Sequence, residues 1–231
     1  IDISHQIEKF NIRMGAFTLA SAAPYFPPKT IHVAVVDPGV GTKRRPIIVE
    51  ARRFFYVGPD NGILMLSAQE EGIKHVCQIG NPKFMLSKVS KTFHGRDIFA
   101  PVAAYLAKGK PIWEFGPKIH DYAVPKFVMP KIRGKELIGE VMHVDDFGNI
   151  ISDISVKDLR KIGAKENDPL NVMLKEKVLH LKFCSTYGDI PAKKPLALVG
   201  SHDFLEISMN QGNAAKKFKV KVSDSVRLLR R

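Results

Sequence analysis

Cysteine is scarce: the 231 residues hold two, Cys77 and Cys184, far apart and without metal-ligand spacing. That excludes a disulfide-stapled framework, gives no support to a zinc site, and leaves both thiols expected as buried hydrophobes. Long apolar runs are missing too. None approaches the ~20 residues of a membrane span and no leader pattern opens the chain, so no membrane partner is expected and a cytoplasmic location is the default. There is no Gly-rich phosphate loop, no nucleophile elbow, no metal motif, no internal repeat and no low-complexity tract. Acidic residues are few, 23 against 36 Lys and Arg, for a formal charge of +13. Such a charge ordinarily points to nucleic acid. Here the lysines are scattered through the chain, so a solvated face is the better reading and nucleic acid is not expected as a partner. The short clusters are Lys216–Lys221, whose alternation fits a half-exposed strand, and Arg227–Arg231.

With 45% hydrophobic residues there is enough apolar side chain for a real core. The chain begins with Ile1, and Ile1-Asp2-Ile3-Ser4 reads as the end of a strand, so an upstream first segment is expected to be missing. Asn11 can cap a helix in which Ile12, Ala16, Leu19, Ala20 and Ala23 recur at helical spacing, ended by Pro24, Pro27 and Pro28. Strands are expected at Ile31–Val36, Ile47–Glu50, Phe54–Val57 and Ile73–Ile79, with helices over 62–71 and Ile98–Ala107. This alternation predicts an α/β domain, a central sheet flanked by helices, over 1–127. Prolines 111, 117, 125 and 130 punctuate a linker. Beyond it, short strands at Ile138–Val144, Asn149–Ile154, Leu170–Leu174, Val178–Phe183, Leu196–Val199, Phe204–Ser208 and Phe218–Val222 predict a smaller all-β, barrel-like domain over 128–231. One short helix, Val156–Ile162, is expected to start at the Ser155 cap.

The polar clusters stand at turns. Val35-Val36-Asp37-Pro38-Gly39-Val40-Gly41-Thr42-Lys43-Arg44-Arg45 follows a strand, and ligands of open α/β sheets bind just outside the carboxyl ends of strands. Asp37 is therefore a candidate with Arg44 or Arg45. Further candidates are His94 with Arg96 and Asp97, then Asp145-Asp146-Phe147-Gly148-Asn149, then Gly200-Ser201-His202-Asp203. Taken singly, each also fits an ordinary cap, core or turn role.

Taken together and in order, these blocks, with Asp2-Ile3-Ser4-His5, Gly58-Pro59-Asp60-Asn61-Gly62 and the run at 200–215, carry a resemblance. The chain resembles the S-adenosylmethionine hydrolases, or S-adenosylmethionine hydroxide adenosyltransferases, relatives of fluorinating and chlorinating enzymes. The resemblance implies hydrolysis of S-adenosyl-L-methionine to adenosine and L-methionine by attack of water or hydroxide on ribose C5′, with no metal or redox cofactor. It also implies a homotrimer with substrate between neighbouring subunits. The family's catalytic Asp, Arg and His fall on Asp37, Arg44 and His94, with the proton acceptor open between Asp37 and His94. Substrate contacts fall on Phe10 beside the ribose, Thr92 and Phe93 at the reacting centre, and Asp145 and Ser201 at the methionine end. Asn149 falls at the adenine edge, Tyr187 against its ring, and Glu206 also falls among the substrate-binding residues. The halogenating relatives place hydroxyls to hold halide where Val40 and Gly95 stand here, so water is the better-suited nucleophile. Two departures stand out: the family's opening Thr-Asp-Phe-Gly-like motif is absent, and His202-Asp203 replaces small residues. The alternative reading is a non-catalytic module that binds adenosine or S-adenosylmethionine.

Overall fold

The computed structural model describes residues 1–125, 127, 130–133 and 136–229. The chain divides into two units, Ile1–Pro125 and Lys126–Arg231. Val128, the expected first residue of the second domain, lies outside the described residues, as do Arg230 and Arg231 of the terminal basic cluster.

The first unit is built on a four-stranded sheet in the order β1-β3-β2-β4, with β1 Ile31–Val33, β2 Pro46–Ala51, β3 Phe55–Pro59 and β4 Ile73–Gln78. β1 and β3 run parallel, while β2 is antiparallel to both β3 and β4. Strand pairing thus gathers the end of β1, the end of β3 and the start of β2 at one edge, although they are far apart in sequence. Helix α1, Ile12–Ala22, starts as its cap requires: the Asn11 side chain accepts from the Met14 amide at 2.9 Å. α1 packs on α2, Met65–Glu71, which packs on β2. Ile48, Val57, Cys77 and Ile79 join Phe84, Ile98, Phe99 and Val102 in one core layer under α3, Ala100–Ala107. Ile47 and Val49, buried as well, alternate to the opposite face, as period-2 strand geometry demands. The result is the α/β sheet flanked by helices.

Three expectations for this unit are corrected. Residues 1–4 form no strand and are exposed, because none of the four sheet strands pairs with them. β1 stops at Val33 rather than at the expected Val36, so Asp37 lies further along the following turn instead of directly after the strand. The helix expected from Ile98 opens one turn earlier, at Gly95, as a π-helical turn that runs into α3.

The second unit is an antiparallel sheet in the order β10-β11-β7-β6-β12-β8-β9, with β5 also on β6. Its strands are β5 Lys131–Arg133, β6 Glu136–Val144, β7 Ile150–Ser155, β8 Pro169–Leu174, β9 Lys177–Lys182, β10 Pro195–Val199, β11 Phe204–Met209 and β12 Ser225–Leu229. Phe183, just past β9, bridges Ala197 of β10, and the Cys184 amide donates to the Ala197 carbonyl at 2.7 Å. That contact brings the two edges of the sheet together into a nearly closed barrel, removing most unpaired strand edge. Inside are Leu137, Val141, Ile150, Ile154, Val172, Leu205, Ile207 and Val226. Both cysteines are buried. Helix α4, Val156–Lys161, begins at Ser155 with a reciprocal capping box to Asp158. The strand expected at Phe218–Val222 is instead the end of a short helix, α5, Ala214–Phe218, and the loop after it. Asn213 caps it through the Lys216 amide at 2.7 Å, and Lys219, in the left-handed region, stops it. Ala214 and Phe218, four residues apart, both pack on the barrel core, so helical spacing prevails over lysine alternation.

Candidate functional site

In the first unit, the sheet edge described above gathers a charged cluster. Arg44 is its hub. Its Nε donates to Asp37 Oδ1 at 3.1 Å, its Nη2 donates to Asp37 Oδ2, and Nη2 lies 3.0 Å from His94 Nδ1. Both side chains of the ion pair are buried, 7% exposed for Arg44 and 5% for Asp37. The guanidinium carbon stands 5.5 Å from the centroid of the buried Phe99 ring, a cation–π seat that fixes the plane of the fork. A guanidinium only donates, so Nδ1 of His94 is the acceptor and the ring proton sits on Nε2. Nη1 of Arg44 is buried and has no hydrogen-bond partner among the described residues.

The neighbouring blocks hold this hub in place. Arg45, which the sequence leaves as an alternative partner of Asp37, turns the other way: Nε and Nη2 reach Asp60 Oδ2 at 3.0 and 2.7 Å, and Nη1 reaches Asp121 at 2.9 Å. Those bonds, from Asp121 and then Asp60, raise the Arg45 pKa. Asn61 donates to the Val36 carbonyl at 2.8 Å, anchoring the residue before Asp37. Gly41 adopts a left-handed φ of 75°, and a Cβ there would sit 2.1 Å from the Lys91 carbonyl oxygen. Only glycine lets the Asp37 turn approach the segment leading to His94 this closely. Asp97, fully buried, accepts from Arg96 Nε at 2.6 Å and from the Ser90 amide at 2.8 Å. The Arg96 bond first, then those from Ser90, hold its carboxyl well below the usual carboxylate range, so Asp97 serves as a loop staple beside His94.

Asp37 also lines a depression of about 380 Å³ with Ser4, His5, Glu8 and Phe10. Phe10 is 74% exposed and sits at a left-handed φ of 67°. Thr92 and Phe93 are exposed on the strand of chain before His94, and the Phe93 ring carries the Arg96 guanidinium at 4.9 Å. Gly95 has room: an added Cβ meets nothing closer than 3.8 Å.

In the second unit, a cleft of about 560 Å³ is lined by Asp145, Phe147, Asn149, Tyr187, Met209 and Gln211. Asp145 and Asn149 are locked in one turn: Oδ1 accepts from the Asn149 amide at 2.8 Å and Oδ2 from its side-chain nitrogen at 2.9 Å. Tyr187 donates to Glu206 Oε1 at 2.7 Å, which Ser208 also reaches at 2.6 Å, while Oε2 lies 3.4 Å from His202 Nε2. Burial would raise the Glu206 pKa, but the bonds from His202, Ser208 and Tyr187 outweigh it and hold the carboxyl below its usual value. Burial, then the bond to that carboxylate, pushes the Tyr187 hydroxyl pKa up. Both Glu206 oxygens are engaged, so Glu206 stands behind Tyr187 as its support. Ser201 lies exposed on the turn between β10 and β11 and does not line this cleft. Phe147, Met209 and Gln211 line it without having been singled out, although all three fall inside blocks that carry the resemblance.

Fold and site define a two-unit protein, α/β sheet plus nearly closed β-barrel, whose first unit carries an Asp–Arg–His hub and whose second carries an aromatic and amide-lined cleft. Residues 1–116 match the SAM hydroxide adenosyltransferase N-terminal domain and residues 139–227 its C-terminal domain. The chain belongs to the SAM hydroxide adenosyltransferase family. It is 36% identical over 235 residues to the (R)-S-adenosyl-L-methionine hydrolase of Methanocaldococcus jannaschii, covering 99% of this chain and 82% of that one. The enzyme of the same name from Thermus thermophilus is 34% identical, covering 99% and 87%. A fluorinase from Actinopolyspora mzabensis is more distant at 24% identity over 100% of this chain and 87% of that one. A crystal structure of an uncharacterized conserved protein from Thermotoga maritima matches with a TM-score of 0.86 and 37% identity, covering 100% of this chain and 88% of that one.

Proposed function

We propose that this protein hydrolyses S-adenosyl-L-methionine to adenosine and L-methionine. Support comes from the relatives at 34–36% identity over nearly the whole chain, all named for this hydrolysis, and from one observation above all: Arg44 grips Asp37 and His94 at once and keeps a buried Nη1 free for another partner. The sulfonium group leaves as a neutral thioether, so the harder half of the reaction is supplying an oxygen nucleophile. Water attacks C5′, the C5′–S electron pair passes to sulfur, and the water proton must be taken up. With Nδ1 of His94 occupied by Arg44, its remaining nitrogen is a donor, and Asp37 is the proton acceptor in this arrangement. Arg44 holds the Asp37 carboxylate in place and offers Nη1, which has no partner among the described residues, to the developing hydroxide-like charge, a preorganised contact of the kind that stabilises transition states. His94, donating through Nε2, holds the attacking oxygen.

Substrate binding is assigned to Phe10, Thr92 and Phe93 on the first unit and to Asp145, Asn149, Tyr187 and Ser201 on the second. Asp145 suits the methionine ammonium, and Tyr187 offers a flat face to adenine. Glu206 joins this set as the residue that positions Tyr187. The proposal requires no metal or redox cofactor, and it includes a homotrimer in the cytoplasm with substrate held between neighbouring subunits. Among the described residues, no helix is long and apolar enough to cross a membrane.

Asp37→Ala and His94→Ala test the assignment. Each should lower turnover of S-adenosylmethionine more than it weakens adenosine binding; equal losses would make both residues binding groups and favour a module that holds the nucleoside without hydrolysing it. Light scattering of the purified protein should give three times the chain mass, and a monomer would remove the trimer from the proposal.

A further inference from the structure

The first unit has a second concave surface at the opposite edge of its sheet, where β1, β3 and β4 begin and β2 ends. It encloses about 570 Å³, within the ~300–1,000 Å³ of small-molecule sites. Among the described residues its wall carries Lys29, Arg52, Arg53, Lys74 and Lys110 against a single carboxylate, Glu50. Two of these cations are already engaged. Arg53 lies 3.5 Å from Glu71 and donates to the carbonyls of Pro24 and Phe26, and Lys110 stands 3.9 Å from Glu114. Lys29, Arg52 and Lys74 form no ion pair among the described residues. Three like charges around one hollow repel each other and attract an anion.

Two further features narrow the ligand. Ile31, Phe55, Leu106 and Ile112 make part of the wall apolar, and beside them Trp113, the chain's single tryptophan, is 76% exposed. An indole left in water next to a basic hollow is a platform for a flat ring. Lys29, in addition, sits at a left-handed φ of 72°, pinned by its amide to the Arg53 carbonyl. Glycine would occupy that position at lower steric cost, so what lysine adds there is its ammonium. A bare inorganic anion would leave Trp113 unused. A nucleic-acid strand would call for successive exposed rings, and among the described residues Trp113 is the one exposed aromatic on this wall.

We propose that this hollow is a mononucleotide site, separate from the Asp37 cluster, in which Lys29, Arg52 and Lys74 take the phosphates and Trp113 stacks on the base. Binding here does not depend on the hydrolysis proposed above.

The test follows emission of the single tryptophan while the protein is titrated with ADP, with adenosine and pyrophosphate as the arms carrying base or phosphates alone. ADP should give a saturable change at submillimolar concentration, with adenosine and pyrophosphate each at least tenfold weaker. Lys29→Gly and Lys74→Gln should each weaken ADP at least tenfold while leaving the unfolding temperature and S-adenosylmethionine turnover unchanged, and calorimetry on Trp113→Phe should show a comparable loss. Saturable ADP binding in a protein that does not hydrolyse S-adenosylmethionine would overturn the hydrolase reading and sustain this one. No saturable change, affinity untouched by the variants, pyrophosphate binding as tightly as ADP, a mixed-sequence oligonucleotide binding where ADP does not, or a Trp113 shielded from acrylamide in the free protein would each overturn the proposal.

Discussion

Replacing Arg44 by lysine separates the charge of the hub from its geometry. Arg44 makes two bonds to one carboxylate and a third to His94 Nδ1, and it is 7% exposed. Lysine keeps the positive charge but has no planar fork, so it can hold Asp37 or reach towards His94 and cannot hold both in register. Removing the charge altogether, as in Arg44→Met, strands the Asp37 carboxylate in a site where it is 5% exposed; breaking a buried pair in this way costs roughly 3–5 kcal/mol. Arg44→Lys avoids part of that cost, and its stability loss should be about 1.5–3 kcal/mol, the scale of a charge-assisted hydrogen bond. Its turnover should nevertheless fall about 10²–10³-fold, the scale of losing one preorganised donor to a developing anion, because Nη1 goes with the fork. The assay is adenosine formation by chromatography, beside thermal unfolding of the same samples. Wild-type turnover in Arg44→Lys would refute the fork's role. A loss of turnover that merely tracks unfolding would reduce Arg44 to a structural ion pair.

Gly41→Ala should cost about 1–2 kcal/mol for its left-handed φ alone and push the turn away from the Lys91 carbonyl, which a Cβ would approach to 2.1 Å; a drop in kcat of tenfold or more with modest change in KM is expected, and unchanged kinetics would contradict the close approach. His32 is 3% exposed among Phe26, Phe54 and Tyr56, its Nε2 is buried with no hydrogen-bond partner among the described residues, and burial lowers its pKa from 6.5 to about 4. The unfolded chain takes up that proton near 6.5 while the folded chain resists it to about 4, so stability should be lost progressively as pH falls across this window, by about 3 kcal/mol in all at ~1.36 kcal/mol per pH unit. In His32→Phe the part of that loss falling between pH 7 and 4.5, about 2.4 kcal/mol, should disappear from denaturation curves at the two pH values, and an unchanged curve would place the acid sensitivity elsewhere. Glu206→Gln and Tyr187→Phe should raise KM for S-adenosylmethionine several-fold with kcat little affected, and a fall in kcat at constant KM would contradict the positioning of Tyr187 by Glu206.

The sequence makes the capped and regularly patterned parts legible. Asn11 and Ser155 mark helix starts because their side chains accept the amides expected of caps, and the short β-branched runs become strands of the anticipated sheets. Ile1–Ser4 and Phe218–Val222 mislead because alternation describes a strand only where a neighbour completes its hydrogen bonds; the first has none, and the second competes with an Asn213 cap and an Ala214/Phe218 stripe. The hub is half legible. Residue types and order point to Asp37, Arg44 and His94, but two adjacent arginines look alike in sequence. Which one faces Asp37 is decided by Asp60 and Asp121 drawing Arg45 the other way. Phe99 beneath the guanidinium carries no local pattern and emerges with the coordinates; Glu206 is already among the expected substrate-binding residues, and what the coordinates add is its hydrogen bond from Tyr187.

Delivery of water to C5′ by Arg44, Asp37 and His94 can be followed by running the reaction in ¹⁸O-labelled water and weighing the products. Adenosine should carry one ¹⁸O at the 5′ oxygen and methionine none, with the label's appearance slowed in Arg44→Lys. Adenosine without label, label in methionine, or a nucleoside product that retains sulfur would contradict it.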